Sequence, residues 1–383
     1  MALSVACGPA PSTLTPQTRT TQGAAIINGE QSEDGSYPSV GALLINVTSD
    51  FGSFGSMLCT GTLIAPDTVL LAAHCLESGF DDFGEATYYF SFAEDVSNFG
   101  TESTELPEDT YEVRGTVGHE EFDMQAMAPE QSGGGLQGDF TLGVDTEYYD
   151  VAVAFLEEPV TGVTPAVPME KDDTLAVDDP VEIVGYGQRE PGSGGMFQPV
   201  DAGIKYEAES FINEIGETEM QIGDNPEDGT PQKCKGDSGG PSFKRVSDGK
   251  DPALRVVGIT SHAYDDELCN KGGVDTRVDA YLEWITTQME DACSDGTRPA
   301  CPETGSVGFS LPQAPEPPDN DNNNGGDGSD ADAPPATDAS GGGSDAMAAT
   351  GGCQQASPQA LSGAWMMLGL LSLRLFLSNR RRR

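Results

Sequence analysis

The octet Cys234-Lys235-Gly236-Asp237-Ser238-Gly239-Gly240-Pro241 holds the residue types of a nucleophile loop. Ser238 is the candidate nucleophile. The backbone N–H groups of Gly236 and Ser238 are expected to face one cavity and hold a developing oxyanion there. Gly236 lets the chain turn without a Cβ in that cavity. Gly239 and Gly240 let another backbone approach closely, and Cys234 is placed to tie the loop down. In isolation the octet is equally a Gly/Ser/Asp turn, and acidic, Gly-rich turns recur in this chain. It becomes a site only in the company of a base and an orienting acid.

The chain has three histidines, His74, His119 and His262. His74 follows two alanines and precedes Cys75, which is placed to bridge back to Cys59. Such a closed loop of about 17 residues stabilises by roughly 3 kcal/mol in the chain-entropy account. A general base must sit within hydrogen-bond reach of its partner, so a cross-link beside it has a purpose. Asp150 stands at the mouth of the apolar run VAVAFL and is a candidate to hold one imidazole nitrogen. Taken alone it is an ordinary strand-start residue.

The elements that must position these groups are mostly strands. From Ile26 onward, short runs rich in Val, Ile and Leu recur between Gly, Pro, Asp and Asn. The runs are 40–47, 57–64, 68–73, 86–92, 111–117, 150–156, 180–186 and 254–259. That spacing predicts an all-β sandwich or barrel rather than alternating strands and helices. One segment has helical periodicity: Val278, Tyr281, Leu282, Ile285 and Met289 fall at three- and four-residue steps, predicting a helix over 278–289 just before Cys293. Polar insertions at 79–85, 124–149 and 225–231 are expected to decorate the rim.

The 383 residues allow one large or two ordinary domains, and a 37% hydrophobic content supports a real core. The formal net charge of -44 argues against nucleic-acid binding, which needs Lys and Arg. It fits a solvated surface. Eight cysteines fall as three local pairs, Cys59/Cys75, Cys234/Cys269 and Cys293/Cys301, with Cys7 and Cys353 alone near the two ends. Sequence leaves the connectivity open, but the layout suits an oxidising, exported location.

Both tails differ from the middle. Residues 1–25 are expected to be a leader and pro-segment, with Cys7 as a candidate lipidation site. Residues 302–352, rich in Pro, Asp, Asn and Gly, are expected to be a disordered linker. The stretch Asp319–Asp327 lacks the glutamate of an EF-hand and reads as solvated linker. Residues 353–383 close the chain with an apolar segment at about 361–378, interrupted by Arg374 and followed by Arg380–Arg383. About 17–20 apolar residues suffice to span a bilayer core, and terminal arginines favour the cytoplasmic side.

The motifs LLAAHC, DVAVAFLEEPV and KCKGDSGGP, in the order His, Asp, Ser, resemble the trypsin/chymotrypsin family of serine peptidases. IINGE resembles that family's mature N-terminus, CTGTLIAPDTVLLAAHC its first disulfide loop, VEIVGYGQ an internal strand and VVGITSH the strand lining the cleft. The likeness covers about 26–293. It implies two packed six-stranded antiparallel β-barrels with a C-terminal helix, within a peptidase domain over 26–301. It assigns His74 as general base and then acid, Asp150 as the orienting carboxylate, and Ser238 as nucleophile. Gly236 and Ser238 would form the oxyanion hole, Ser261 would support Asp150, and Asp237 would pair with the free amine of Ile26 after cleavage. No cofactor is required, and no metal ligand set stands out.

The resemblance implies a substrate pocket lined by Gln232, Ser261, His262, Ala263, Gly273 and Asp275. Gln232 occupies the pocket base, where trypsin-like members carry aspartate, so a strict Arg/Lys preference is not implied. Asp275, with the rim acids Asp265, Asp266 and Glu267, offers another route to a basic preference. Ala25, not a basic residue, precedes the expected activation point. No cysteine lies between Cys75 and Cys234, so a disulfide common in the family's second barrel is missing. The C-terminus, from Gly351-Gly352-Cys353 onward, resembles a MYXO-CTERM-type sorting signal of bacterial surface proteins, in which Cys353 would be the processing point. The expected partners are protein or peptide substrates, an activating or sorting peptidase and the membrane. The competing reading is a non-catalytic surface binding protein on a peptidase scaffold.

Overall fold

The computed structural model describes residues 26–302, apart from 51, 78, 81–83, 102, 128–143, 145, 171–172, 189–201, 225–228, 247–252, 265–268 and 270. The leader with Cys7, the linker, Asp319–Asp327, Cys353, the apolar segment at 361–378 and the rim acids Asp265, Asp266 and Glu267 lie outside the described residues. Among the described residues, no helix is long and apolar enough to cross a membrane.

Six strands close the first barrel: β2 (Val40–Ser49), β3 (Gly52–Ala65), β4 (Thr68–Leu71), β5 (Glu85–Ser91), β6 (Thr110–Gly118) and β7 (Ala152–Leu156). They run in the order β2-β3-β4-β7-β6-β5 and back to β2. Strands β4 and β7 are buried throughout, whereas β6 alternates half-buried and exposed residues. Val40, Leu43, Leu44, Leu63, Leu70, Leu71, Val153 and Phe155 fill the interior. The mouth of this barrel carries the candidate base and acid.

The second barrel comprises β9 (Pro180–Gly185), β10 (Tyr206–Ile215), β11 (Glu219–Ile222), β12 (Pro241–Val246), β13 (Ala253–Ala263) and β14 (Gly273–Arg277). Its path β10-β11-β14-β13-β12-β9 closes because β9 also pairs with β10. The short β1 (Glu30–Gln31) adds to β10, and β8 (Val167–Pro168) pairs parallel with β13. A four-residue helix, α1 (Met124–Met127), lies between β6 and β7.

The helix α2 (Val278–Asp295) runs farther than the apolar period over 278–289 predicts. Cys293 therefore lies in its last turn rather than beyond it. Gly296 ends the helix in a left-handed conformation, as a C-terminal cap favours. Arg298 then returns to the first barrel, donating Nε–H to Asp67 Oδ1 at 2.8 Å, while the Ala300 N–H donates to Asp67 Oδ2 at 2.6 Å. This buried pair anchors the segment closed by the Cys293–Cys301 disulfide.

Two boundaries shift from expectation. The run at 68–73 leaves the sheet after Leu71 and enters a single 3₁₀ turn, Ala73–Cys75, that carries His74. Asp150 lies two positions before β7 rather than opening it. Both departures have one physical cause: a ladder residue points at fixed right angles to its sheet, whereas a turn lets a side chain aim along the barrel mouth.

Candidate active site

His74 and Asp150 meet twice. The His74 backbone N–H donates to Asp150 Oδ1 at 2.9 Å, and His74 Nδ1 lies 2.7 Å from Asp150 Oδ2. Ser261 on β13 donates its hydroxyl to Asp150 Oδ2 at 2.6 Å, and Thr276 on β14 donates to the Asp150 carbonyl oxygen at 3.0 Å. The acid of the first barrel is therefore gripped by two hydroxyls of the second. Disulfide Cys59–Cys75 pins the histidine turn to β3. Its sulfurs also lie close to His74, but a disulfide offers no thiolate to a metal.

The electrostatics are those of an ion pair poised on one side. Burial alone would raise the Asp150 carboxyl, but the facing His74 charge and the hydrogen bonds from His74 and Ser261 outweigh it. Asp150 is held below the usual carboxylate range. Burial alone would lower the His74 imidazole, yet the Asp150 charge and hydrogen bond reverse the sign and hold it above 6.5. With Nδ1–H turned to Asp150, Nε2 is left to accept a proton from a group in front. His74 keeps 18% of its side-chain area exposed, whereas Asp150 has none.

The Ser238 loop is bound to both barrels. The Thr60 N–H donates to the Ser238 carbonyl oxygen at 2.8 Å, the Thr60 hydroxyl donates to the Gly236 carbonyl oxygen at 2.9 Å, and the Gly239 N–H donates to Thr260 at 2.7 Å. Gly239 has φ +77°, and a Cβ there would lie 2.5 Å from the Thr60 oxygen and 3.1 Å from the Ala72 nitrogen. The Ser238 turn is thus pressed against the segment that leads into His74. Gly236 has φ +96° and a Cβ would sit 2.8 Å from Gly187 Cα, so only glycine fits without strain. Neither the Gly236 nor the Ser238 N–H donates a hydrogen bond among the described residues. Both remain free for an incoming oxygen.

Beneath the loop, Asp237 is fully buried. Gly187 N–H donates to its Oδ1 and Cys234 N–H to its Oδ2, each at 2.8 Å. Burial pushes its carboxyl up to about 7, against the downward pull of those N–H groups and Lys233. Ile26 is also fully buried, and the neighbouring Ile27 exchanges backbone hydrogen bonds with Gln232 at 2.8 and 2.9 Å. The segment after Ala25 is therefore already docked at the base of this loop.

The residues expected around the pocket divide. Gln232 is fully buried, and its Oε1 has no hydrogen-bond partner among the described residues. Asp275 is not a free negative charge: Lys233 Nζ lies 2.8 and 2.7 Å from its two carboxyl oxygens and 2.8 Å from Ser242 Oγ. Both side chains are buried, so the two charges cancel locally. Ala263 and Gly273 pair across β13 and β14. His262 turns inward, with 10% of its side chain exposed. His119 is structural, stacked between Tyr149 and Trp284 at centroid distances of 4.9 and 5.0 Å. The disulfide Cys234–Cys269 clamps the loop. In the barrel that lacks a further cross-link, Asn213 Nδ2 donates to Gln221 Oε1 at 2.7 Å between β10 and β11.

Sequence reasoning missed Thr60, Lys233 as the partner of Asp275, Thr276 and Glu219. Thr60 follows Cys59 directly, so the first disulfide loop pointed to it. Lys233 abuts Cys234, where a cation beside a buried loop asks for an acid. Glu219 carried no signal, being one of 63 acids in the chain.

Fold and site together define a two-barrel protein with a His–Asp pair and a glycine-rich serine loop at the barrel junction. Residues 26–285 match the Trypsin family, and the chain belongs to that family. It is also similar to the proclotting enzyme of Tachypleus tridentatus, at 26% identity over 276 residues. That match covers 69% of this chain and 66% of the relative, just under two thirds of the relative's length.

Proposed function

We propose that this protein is a serine endopeptidase acting through an acyl-enzyme. One observation carries the reading: His74 Nδ1 is committed to a buried, ionised Asp150 beside a serine loop whose Gly236 and Ser238 N–H groups are free. His74 Nε2 takes the Ser238 proton as Oγ attacks the scissile carbonyl. The developing oxyanion is held by the two N–H groups. His74 then protonates the leaving amine, and water, deprotonated in turn by His74, releases the acyl group.

Cleavage between Ala25 and Ile26 is the switch in this account. A new ammonium at Ile26 would meet the Asp237 carboxyl, favouring its ionised form and ordering the loop that carries Gly236. Because Lys233 and Asp275 neutralise each other, the pocket is read as neutral, with the Gln232 amide at its base. Peptide-library profiling should then show no dominant Arg or Lys preference; such a preference would overturn the neutral-pocket reading.

Three disulfides favour an exported protein folding in an oxidising compartment. Surface anchoring through residues 353–383, with processing at Cys353, rests on the sequence alone. Cell fractionation of the full chain and of a chain ending at 352 tests it: equal release of both sinks the anchor. The enzymatic reading is tested by hydrolysis of an unfolded protein by chain cut at Ala25–Ile26. Turnover that disappears in Ser238→Ala supports it. Binding of protein without turnover would favour the non-catalytic alternative.

A further inference from the structure

Behind the Asp150–Ser261 contact lies a second pair of titratable groups. His262 Nδ1 is 3.1 Å from Ser261 Oγ. The single hydrogen of that hydroxyl is committed to Asp150 Oδ2 at 2.6 Å, so His262 must be the donor on its own side. This fixes His262 as the Nδ1–H tautomer and leaves Nε2 an acceptor. That Nε2 is buried without a hydrogen-bond partner among the described residues, and so are both carboxyl oxygens of Glu219. Glu219 Oε2 lies 4.0 Å from His262 Nε2. The Tyr148 ring, with its centroid 5.1 Å from that of His262, packs alongside.

The surroundings dictate which of the two holds a proton. Glu219 on β11 feels three carboxylates from two other segments: Asp150 and Glu147 before β7, and Asp275 on β14. Two cations of this region are already committed, Lys233 to Asp275 and Arg277 to Asp279. Tyr148 and Tyr281 also lie within reach of Glu219 and bring no charge of their own. Burial first, and those carboxylates second, push Glu219 up to about 9. Burial pushes His262 down to about 4, with Asp150 pulling it up and His74 pushing it down. A neutral acid and a neutral imidazole therefore face each other, each with an unmet hydrogen-bonding atom. An unmet buried polar atom costs on the order of 1–3 kcal/mol, so their pairing is favoured.

We propose that Glu219 and His262 are positioning residues for the Asp150–His74 pair: the Glu219 carboxylic acid donates to His262 Nε2, which holds His262 as the Nδ1–H tautomer and keeps the Ser261 hydroxyl on Asp150. The proposal rests on the reading of His74, Asp150 and Ser238 as a triad. Every donor in the row points toward Asp150, from Glu219 through His262 and Ser261. Loss of the Glu219 proton to solvent reverses it. His262 then gives up Nδ1–H and gains Nε2–H, with no net change in its protons, and donates to the new carboxylate. Its Nδ1 becomes an acceptor that draws the Ser261 hydrogen away from Asp150.

Nitrogen-15 NMR of histidine-labelled full-length Ser238→Ala protein reads this directly, since only three histidines contribute. The expected result is His262 as Nδ1–H near neutral pH, converting to Nε2–H as the pH rises through about 9. In Glu219→Gln, whose amide still donates but does not titrate, the neutral Nδ1–H form should persist from about pH 4 upward, with no alkaline conversion. His262 found as Nε2–H near neutral pH, or an alkaline conversion retained in Glu219→Gln, overturns the proposal. If Glu219→Gln fails to fold, the Ser238→Ala titration alone decides through the first criterion. A kinetic arm uses active enzyme: the acid limb of kcat/KM should keep its midpoint in Glu219→Gln, because the residue is uncharged there. A downward shift of that limb would mean an ionised Glu219 and overturn the proposal. NMR requires no turnover, so a peptidase reading that fails leaves the NMR outcome separately interpretable.

Discussion

In the first barrel the fully buried side chains are aliphatic residues, Phe and the hydroxyl residues Thr60, Thr62, Thr68 and Ser91, with buried ionisable groups confined to its ends at Asp67 and Asp150. The second barrel buries Lys233, Asp275, Asp237, Glu219 and Lys205 among its apolar residues. One barrel is an apolar frame that presents a base and an acid at its mouth. The other holds the serine loop on a bed of buried charges. The difference shows how the labour is divided. Dispersion and burial hold the frame whatever the pH, whereas the serine loop rests on groups whose charge is conditional.

The largest expected effect breaks the site where the barrels join. Ser238→Ala should lower kcat/KM by on the order of 10⁵–10⁶-fold while leaving the melting temperature nearly unchanged. Asp150→Asn should lower it by roughly 10⁴-fold, the loss this family's triad is known for, by disturbing the His74 tautomer. Either variant retaining activity within tenfold of the parent would break the assignment.

Stability sharpens the contrast. Lys233→Met strands Asp275 in the interior and should cost about 3–5 kcal/mol by denaturant unfolding. Adding Asp275→Leu should recover most of that loss, since replacing a buried ion pair by apolar groups is often neutral. Phe155→Ala in the first barrel should also cost about 3–5 kcal/mol, with no second charge change able to restore it. A double variant no better than Lys233→Met would show that the ion pair is not what sustains the second barrel.

The pH responses are smaller. His74 is held above 6.5, so kcat/KM should fall as pH drops through a midpoint above that value. Glu219 keeps its proton to about 9 in the fold but loses it at about 4.5 when unfolded. Between those values unfolding releases a proton, so its contribution falls as pH rises. Thermal melts of Glu219→Gln against the parent should therefore coincide at acid pH and diverge in favour of the variant toward pH 9. A pH-independent difference would count against a buried, protonated Glu219.

Legibility followed the same division. Strands β2 through β7 stood out by their aliphatic and aromatic residues, continuous in LLINV and VAVAFL and alternating in β6. Strands β10, β11, β12 and β14 did not, because YEAESFINEI, EMQI, PSFKRV and GVDTR mix charges into a buried ladder. Pattern reading weighs hydrophobicity, and a charge neutralised by a distant residue looks the same as a solvated one. The site residues His74, Asp150, Ser238, Gly236 and Ser261 were legible because their motifs are local. The Lys233–Asp275 pair, the Thr60 clamp and the Glu219–His262 contact join positions far apart in sequence. No local spacing announces them.

The central claim is that Ser238 is a nucleophile activated by His74 once the chain is cut before Ile26. A fluorophosphonate probe followed by peptide mass mapping tests it most directly. The account predicts covalent labelling of Ser238 in chain cut at Ala25–Ile26, far slower labelling of uncut chain, and none in His74→Ala over the same interval. Cut, folded chain that takes up no probe, or takes it up at a residue other than Ser238, would contradict the account.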